Sequence, residues 1–298
     1  MSLPLVWLPF EIDDLPVGVR CEVVPDPVAH LPASLAEVAG YVLPYRFEPG
    51  DSAFLARAPR LRWVQSLTAG VDHLVGRIPE GVTLCNGRGI HSASTAELAV
   101  ALMLASLRAI PDFVRAQDRR EWVPGERPAL ADRRVLIIGY GDIGAAIEAR
   151  LTPFEVEVVR VARTARADVH AFADLPALIP EADVIVLVVP LTEATRHLVD
   201  ARFLAAMKQG ALLVNVARGA VVDTDALVAA LHGGRITAAL DVTDPEPPPP
   251  EHPLWSAPGL LISPHTGGSS TAFKPRAVRL IREQLQRFAR DEPLDNVV

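Results

Sequence analysis

Only two cysteines, Cys21 and Cys85, occur in the 298 residues, too few for a disulfide framework. A reducing compartment is the simplest home for such a chain, and both thiols are expected to be free and buried. A basic excess is missing as well. With 29 Lys and Arg against 36 Asp and Glu the net charge is −7, so nucleic acid and anionic membranes are not expected as partners. The apolar run around Leu98–Leu104 is far short of the roughly 20 residues that span a bilayer. Met1 to Phe10 carry no cationic leader, so no signal peptide is read and a cytoplasmic location is expected. No internal repeat and no metal site are found. What is present is a chain 50% hydrophobic and 22% charged, the composition of a soluble globular protein with length enough for two domains.

The most informative stretch is Val135-Leu136-Ile137-Ile138-Gly139-Tyr140-Gly141-Asp142-Ile143-Gly144. Four consecutive apolar residues read as a strand covered on both faces, as in a parallel sheet. A G-x-G-x-x-G turn follows at once, and residues 145–151 read as a helix. In that context Gly139 permits the tight turn, Gly141 admits a pyrophosphate, and Gly144 lets helix and strand pack closely. The N–H groups of the helix start would face the phosphates. The second strand, Val156–Val161, ends in Ala162-Arg163-Thr164-Ala165-Arg166. NAD-specific sites place a carboxylate there for the ribose 2′-hydroxyl. This chain has none, and Arg163, Thr164 and Arg166 instead suit a 2′-phosphate, so NADP(H) is preferred with NAD(H) as the alternative.

Ahead of that unit, residues 1 to 93 read as a smaller α/β domain with strands near Pro4–Leu8, Val19–Val24, Tyr41–Leu43 and Leu61–Leu67. Thr68-Ala69-Gly70-Val71-Asp72 leaves the last of these through a glycine turn, either an anion-binding nest or a plain turn. Ser94-Thr95-Ala96-Glu97 reads as a capping box with Ser94 as N-cap. The helix it opens, to about Arg108, is apolar nearly all round, which suits a place between domains or subunits. Trp122 to Pro128 is a connector marked by proline and glycine.

Beyond the second strand, Asp183–Pro190 reads as a strand and Arg196–Met207 as a helical region. Further strands follow at Ala211–Asn215, Ile236–Leu240 and Leu260–Ser263, with a helix from Asp223 to Gly233 and a final one over Thr271–Asp291. Successive strand ends deliver Arg218, Glu246 and His265 to the carboxyl edge, where open α/β sheets bind ligands. Reduction of a carbonyl by hydride needs a proton donor, and histidine titrates in the right range. A carboxylate beside an imidazole orients it and favours its protonated form. An arginine can clamp a substrate carboxylate and polarise the adjoining carbonyl. Each role is filled once.

Taken in order, Leu67-Thr68-Ala69-Gly70-Val71-Asp72, Ala96-Glu97, the glycine turn with Asp142 and Ile143, Asn215-Val216-Ala217-Arg218-Gly219, Ala239-Leu240-Asp241-Val242 with Glu246-Pro247, and Ser263-Pro264-His265 make a specific set. The chain resembles the D-isomer-specific 2-hydroxyacid dehydrogenase family over nearly its whole length. The resemblance implies a Rossmann-type doubly wound parallel sheet, residues 94–269, inserted in a smaller flavodoxin-like α/β substrate domain, residues 1–93 and 270–298. It implies Arg218 as the binder of a 2-oxo acid, Glu246 as the partner of His265, and His265 as general acid–base. Substrate would also meet Tyr45, Arg46 and the backbone of Ala69, Gly70 and Val71. Along the cofactor would lie Thr95, Val189, Pro190, Thr195, Val216, Ala217, Gly267 and Gly268, with Asp241 at the nicotinamide carboxamide. The helix opened near Ser94 would lie at the hinge and at a homodimer interface.

The departures are informative too. Ala162 replaces the acidic residue of NAD-using members, no C-terminal regulatory domain is seen, and the long N-terminal extension of formate dehydrogenases is absent. The expectation is an NADP(H)-preferring reductase of glyoxylate or hydroxypyruvate. Its rivals are a phosphoglycerate- or D-lactate-directed enzyme and a dinucleotide-sensing binding protein on the same fold.

Overall fold

The computed structural model describes residues 3–45 and 54–298, so Arg46 lies outside the described residues. In chain order the strands are β1 Leu5–Leu8, β2 Arg20–Val23, β3 Val38–Val42, β4 Trp63–Gln65, β5 Thr83–Cys85, β6 Arg134–Ile138, β7 Glu157–Ala162, β8 His170–Ala171, β9 Val184–Leu187, β10 Leu212–Asn215, β11 Thr237–Leu240 and β12 Leu260–Ile262. The α-helices are α1 Ser92–Leu107, α2 Ile110–Asp118, α3 Asp142–Leu151, α4 Leu175–Leu178, α5 Ala201–Ala206, α6 Thr224–His232 and α7 Phe273–Ala289. Two compact units result: residues 1–91 with 271–298, and residues 92–270. The junctions expected from sequence are 93/94 and 269/270.

In the first unit five parallel strands follow the order β2-β1-β3-β4-β5, the order of flavodoxin-like sheets. Strands β1 and β3 are buried throughout, as apolar runs covered on both faces must be. Trp7, Tyr41 and Phe54 meet as a ring cluster with centroids 5.6–6.0 Å apart. Helix α7 returns to this unit and buries Ala277, Leu280, Ile281, Leu285 and Phe288. It also buries a polar group, Gln284. Its amide donates to Gln65 Oε1 (2.7 Å) and to the Asp295 carbonyl (2.8 Å), and its oxygen accepts from Asp295 N (2.9 Å). Satisfied in this way, the amide fixes helix, strand and C-terminus in one register without an unpaired group. Burial pushes both thiols, Cys21 and Cys85, up to about 11, so neither is a thiolate at neutral pH.

In the second unit seven parallel strands follow the order β12-β11-β10-β9-β6-β7-β8. The chain starts in the middle at β6, runs to one edge, then crosses back to build the other half. That is the doubly wound Rossmann arrangement, with its switch point between β6 and β9. Strands β9 and β10 are wholly buried, and α1 packs Ala96, Ala99, Val100, Leu102 and Met103 into the core on one face.

Several elements differ from the sequence reading. Helix α1 begins at Ser92, so Ser94 lies inside its first turn and is not the N-cap. The run His91-Ser92-Ala93-Ser94-Thr95 holds several polar side chains, and the helix starts three residues before Thr95, the first helical residue that a Ser94 cap implies. The helical region expected over Arg196–Met207 shrinks to α5, capped by Asp200, whose Oδ1 accepts from Phe203 N at 2.8 Å. Strands β5 and β8 and helix α2 were not expected. The two strands are too short for any periodic signal, and α2 exposes its own apolar residues, Ile110 and Val114. Among the described residues no single helix is long and apolar enough to cross a membrane. No cluster of three or more His, Cys, Asp or Glu side chains could hold a metal ion there.

Candidate active site

The glycine turn joins three strand ends. Gly139 and Tyr140 N–H both donate to the Val161 carbonyl (2.8 and 2.9 Å), tying the turn to the end of β7. Gly139 has φ +106°, and a Cβ there would lie 2.5 Å from the Val188 carbonyl oxygen, so nothing larger fits. A Cβ on Gly144 would stand 3.0 Å from the Gly139 oxygen and 3.3 Å from Ile137, which is why α3 can lie close on β6. Gly141 is different. It caps α3 in extended backbone, and a Cβ on it would meet nothing within 4 Å. The start of α3, with Asp142 and Ile143 in its first turn, therefore opens onto free space. A helix N-terminus facing an uncovered glycine is the arrangement a pyrophosphate requires.

At the end of β7, Ala162 is followed by exposed Arg163 and Thr164. Among the described residues neither takes part in a hydrogen bond or ion pair. Arg166 does not join them. Its Nη2 donates to the Tyr140 carbonyl at 2.6 Å, on the glycine turn itself. After β9, Thr195 is buried and pins the next turn. Its hydroxyl donates to the Pro190 carbonyl (2.6 Å) and accepts from Thr192 N (2.8 Å). Val189 is buried beside exposed Pro190.

The turn after β10 carries Arg218. Asn215 braces it from within: its Oδ1 accepts from Ala217 N (3.0 Å) and its Nδ2 donates to the Arg218 carbonyl (3.0 Å). Val216 and Ala217 are buried around it. Gly219 follows, where a Cβ would fall 1.9 Å from the Thr243 oxygen. That close approach brings the Arg218 turn against the segment leading to Glu246. Asn215 stands in the sequence motif without a role of its own, although a carboxamide ending an otherwise apolar strand is the available signal.

His265 emerges after β12 in left-handed backbone, φ +51°, a strained conformation that its surroundings must hold. They do so through Asp241, at the end of β11 and only 3% exposed. The Asp241 carbonyl accepts from His265 N at 2.7 Å. Its Oδ1 accepts from Ser263 Oγ (2.6 Å) and Thr266 N (2.9 Å), and its Oδ2 from Gly267 N (2.9 Å). The carboxylate expected from sequence at the carboxamide of a cofactor is thus the anchor of the histidine loop. Gly267 completes the fit, since a Cβ there would lie 2.9 Å from Asp241 Oδ2 and 3.5 Å from Thr95. Gly268, next in the chain, is half-buried.

Glu246 and His265 meet directly, Oε1 to Nδ1 at 2.5 Å. Partial burial raises the Glu246 carboxyl. The hydrogen bond and charge of His265, the Thr243 N–H and the charge of Arg218 outweigh it and leave the group below the usual carboxylate range. It is therefore ionised at neutral pH. With Nδ1 held by a carboxylate, Nε2 is the nitrogen placed for proton exchange.

In the first unit, the loop leaving β4 is folded on its own hydroxyls: Ser66 Oγ and Thr68 Oγ1 lie 2.7 Å apart, and Thr68 Oγ1 donates to the Gly70 carbonyl at 2.7 Å. No acceptor among the described residues faces the N–H groups of Ala69, Gly70 and Val71. Tyr45 is stacked against His91 (5.1 Å between centroids) and Phe273 (4.4 Å). His91, whose Nε2 lies 2.7 Å from the Leu67 carbonyl, had no signal in the sequence beyond its place before α1.

Residues 100–267 match the family described as D-isomer specific 2-hydroxyacid dehydrogenase, NAD binding domain. A glyoxylate reductase of Thermofilum pendens is 34% identical over 252 residues, 79% of this chain and 74% of that protein. The human glyoxylate reductase/hydroxypyruvate reductase is 34% identical over 253 residues, 80% of this chain and 77% of that one. Among solved structures, the D-isomer specific 2-hydroxyacid dehydrogenase from Xanthobacter autotrophicus Py2 in complex with NADPH and MES superposes with a TM-score of 0.84 at 32% identity, covering 100% of this chain and 98% of that one. The glycine turn on a doubly wound sheet and the imidazole–carboxylate pair beside an arginine are then features of a lineage, and the chain belongs to the D-isomer-specific 2-hydroxyacid dehydrogenases, oxidoreductases that use a nicotinamide cofactor.

Proposed function

We propose that this chain is an NADP(H)-preferring reductase acting on small 2-oxo acids, with glyoxylate and hydroxypyruvate as the favoured substrates. The observation that carries the reaction is the 2.5 Å pairing of Glu246 with His265, on a turn next to the one that carries Arg218. The open helix start at Gly141 fits a dinucleotide pyrophosphate, and the carboxylate-free loop with exposed Arg163 and Thr164 fits a 2′-phosphate. Bound there, a nicotinamide supplies the hydride for the carbonyl carbon.

The protein's own groups do the rest. His265 Nε2 delivers a proton to the substrate oxygen as negative charge grows on it. Glu246 holds the ring by Nδ1 and stabilises its charged form before the proton leaves. Arg218 pairs with the substrate carboxylate and adds positive potential beside the developing alkoxide. In the first unit, the N–H groups of Ala69, Gly70 and Val71, with Tyr45 and Arg46, are assigned to the substrate. Relatives named as glyoxylate and hydroxypyruvate reductases support the substrate class, and a relative in complex with NADPH supports the cofactor.

We also assign a homodimer and a cytoplasmic location. The dimer is supported by apolar surface near α2, where Trp122 is 94% and Val114 54% exposed. Cofactor oxidation measured against a panel of 2-oxo acids, with NADPH and NADH in parallel, tests the assignment. Fastest turnover on glyoxylate or hydroxypyruvate with NADPH is expected. Preference for pyruvate or a phosphorylated acid would move the substrate, and no turnover at all would favour a dinucleotide sensor.

A further inference from the structure

Arg166 and Arg163 stand on one short loop, yet the structure treats them differently. Arg163 follows the last residue of β7 directly, is exposed, and meets no partner among the described residues. Arg166 is committed. Its backbone exchanges hydrogen bonds with Val169 (3.0 and 2.9 Å), and its guanidinium donates to the Tyr140 carbonyl at 2.6 Å and lies 5.9 Å from the Tyr140 ring centroid. Past that link its side chain borders a polar cavity of about 460 Å³ lined also by Arg160, Asp168 and His170, so Tyr140 is what fixes its position.

Tyr140 is fixed in turn. It is the residue between Gly139 and Gly141. Its hydroxyl donates to Glu148 on α3, and Glu148 accepts both Nε (2.8 Å) and Nη2 of Arg160 on β7. The Arg160 guanidinium also lies 5.7 Å from the Tyr140 ring. The hydrogen bond and charge of Arg160 hold the Glu148 carboxyl below its usual range against the opposing effect of burial. Strand β7, helix α3, the glycine turn and the loop after β7 are therefore joined through one tyrosine.

We propose that Arg166 is a positioning residue that latches the loop after β7 to the glycine turn through Tyr140, and so acts apart from Arg163, the residue already assigned to the 2′-phosphate. The proposal rests on the cofactor reading above and divides its labour. A guanidinium held at the Tyr140 carbonyl keeps its other N–H groups but is fixed where that carbonyl places it, whereas Arg163 carries no such tether and can turn onto a phosphate. The glycine turn that the latch holds faces the pyrophosphate, which NADPH and NADH share. Losing the latch therefore weakens both cofactors, and losing Arg163 weakens one.

Titration of NADPH and of NADH by quenching of intrinsic fluorescence needs no substrate, so an error in the substrate assignment leaves the readout intact. Arg163→Ala is expected to weaken NADPH by roughly tenfold or more and leave NADH unchanged. Arg166→Ala and Glu148→Gln are expected to weaken both by a similar factor, roughly three- to tenfold, at unchanged melting temperature, with Arg166→Lys recovering part of the loss for both. Selective loss of NADPH in Arg166→Ala would overturn the proposal, as would no change in either Kd. Wild-type protein that binds NADH more tightly overturns the NADP(H) preference and Arg163's role in it, while parallel loss of both cofactors in Arg166→Ala still supports the latch.

Discussion

Two loops leave the carboxyl edge of the Rossmann sheet, and they are held in opposite ways. The loop after β12 is over-determined: the buried Asp241 carboxylate takes Ser263, Thr266 and Gly267 at 2.6–2.9 Å, its carbonyl takes His265 N, and Glu246 takes the ring. The loop after β7 is exposed from Arg163 to Asp168 and tied down by Arg166. The difference fits the roles proposed for each. Proton transfer depends on a donor held within a few tenths of an ångström, so strain at His265 is tolerated and fixed from every side. Recognition of a phosphate by charge tolerates a mobile cation at the surface. Selectivity can then be changed at one loop without disturbing chemistry at the other.

The largest expected effect breaks the rigid side. His265→Gln should lower kcat by about 10³-fold or more, the scale of a lost general acid, and leave NADPH binding nearly intact by titration. Loss of both together would mean that the histidine holds the cofactor site and not the proton. Asp241→Asn comes next. The amide keeps the shape but turns an NH2 toward donors that need an acceptor, unsettling a buried network at a cost of about 1–3 kcal/mol. We expect kcat to fall roughly 10- to 100-fold with a lower melting temperature, both read on the same preparation. On the loose side, Ala162→Asp with Arg163→Ala should reverse the proposed preference for NADPH over NADH and leave kcat within about threefold of wild type. A comparable fall in kcat would show that the two loops are not independent.

How much of this was written in the sequence depends on the length scale of each signal. Apolar runs such as 135–138 and 184–187 mark buried parallel strands, and the glycine spacing marks the turn between β6 and α3, because those constraints are local. Glu246 and His265 could be placed at one edge because βα connectivity fixes which strand end carries which residue. Their contact, and the anchoring of His265 by Asp241, lie 19 and 24 residues apart in sequence and become visible only once β11 and β12 pair. Arg163 and Arg166 looked alike because composition does not say which of them a carbonyl has claimed. A cap at Ser94 implies a helix from Thr95, three residues after the observed start at Ser92, because helix ends are less sharply encoded than helix interiors.

The smallest expected shift is one of stability and concerns Glu246, the exposed partner of His265 on the segment after β11, and it asks whether their pairing serves folding or chemistry. Its carboxyl lies below the ordinary 4.5 in the folded chain. A depressed carboxyl contributes stability that is fully present above that ordinary value and fades as pH falls through the folded one. The side chain is 40% exposed, so solvent screening limits that contribution to less than about 1 kcal/mol. Wild type should therefore melt slightly above Glu246→Gln at pH 6, and the two curves should converge as pH falls below the lowered value of the folded chain, at constant ionic strength. The same substitution should lower kcat at neutral pH by roughly 10- to 100-fold, far more than so small a stability change can explain. A gap in melting temperature that persisted in acid would show that the carboxylate's charge is not its source. A kcat that moved no more than the stability would reduce Glu246 to another fastening of the loop that Asp241 already holds.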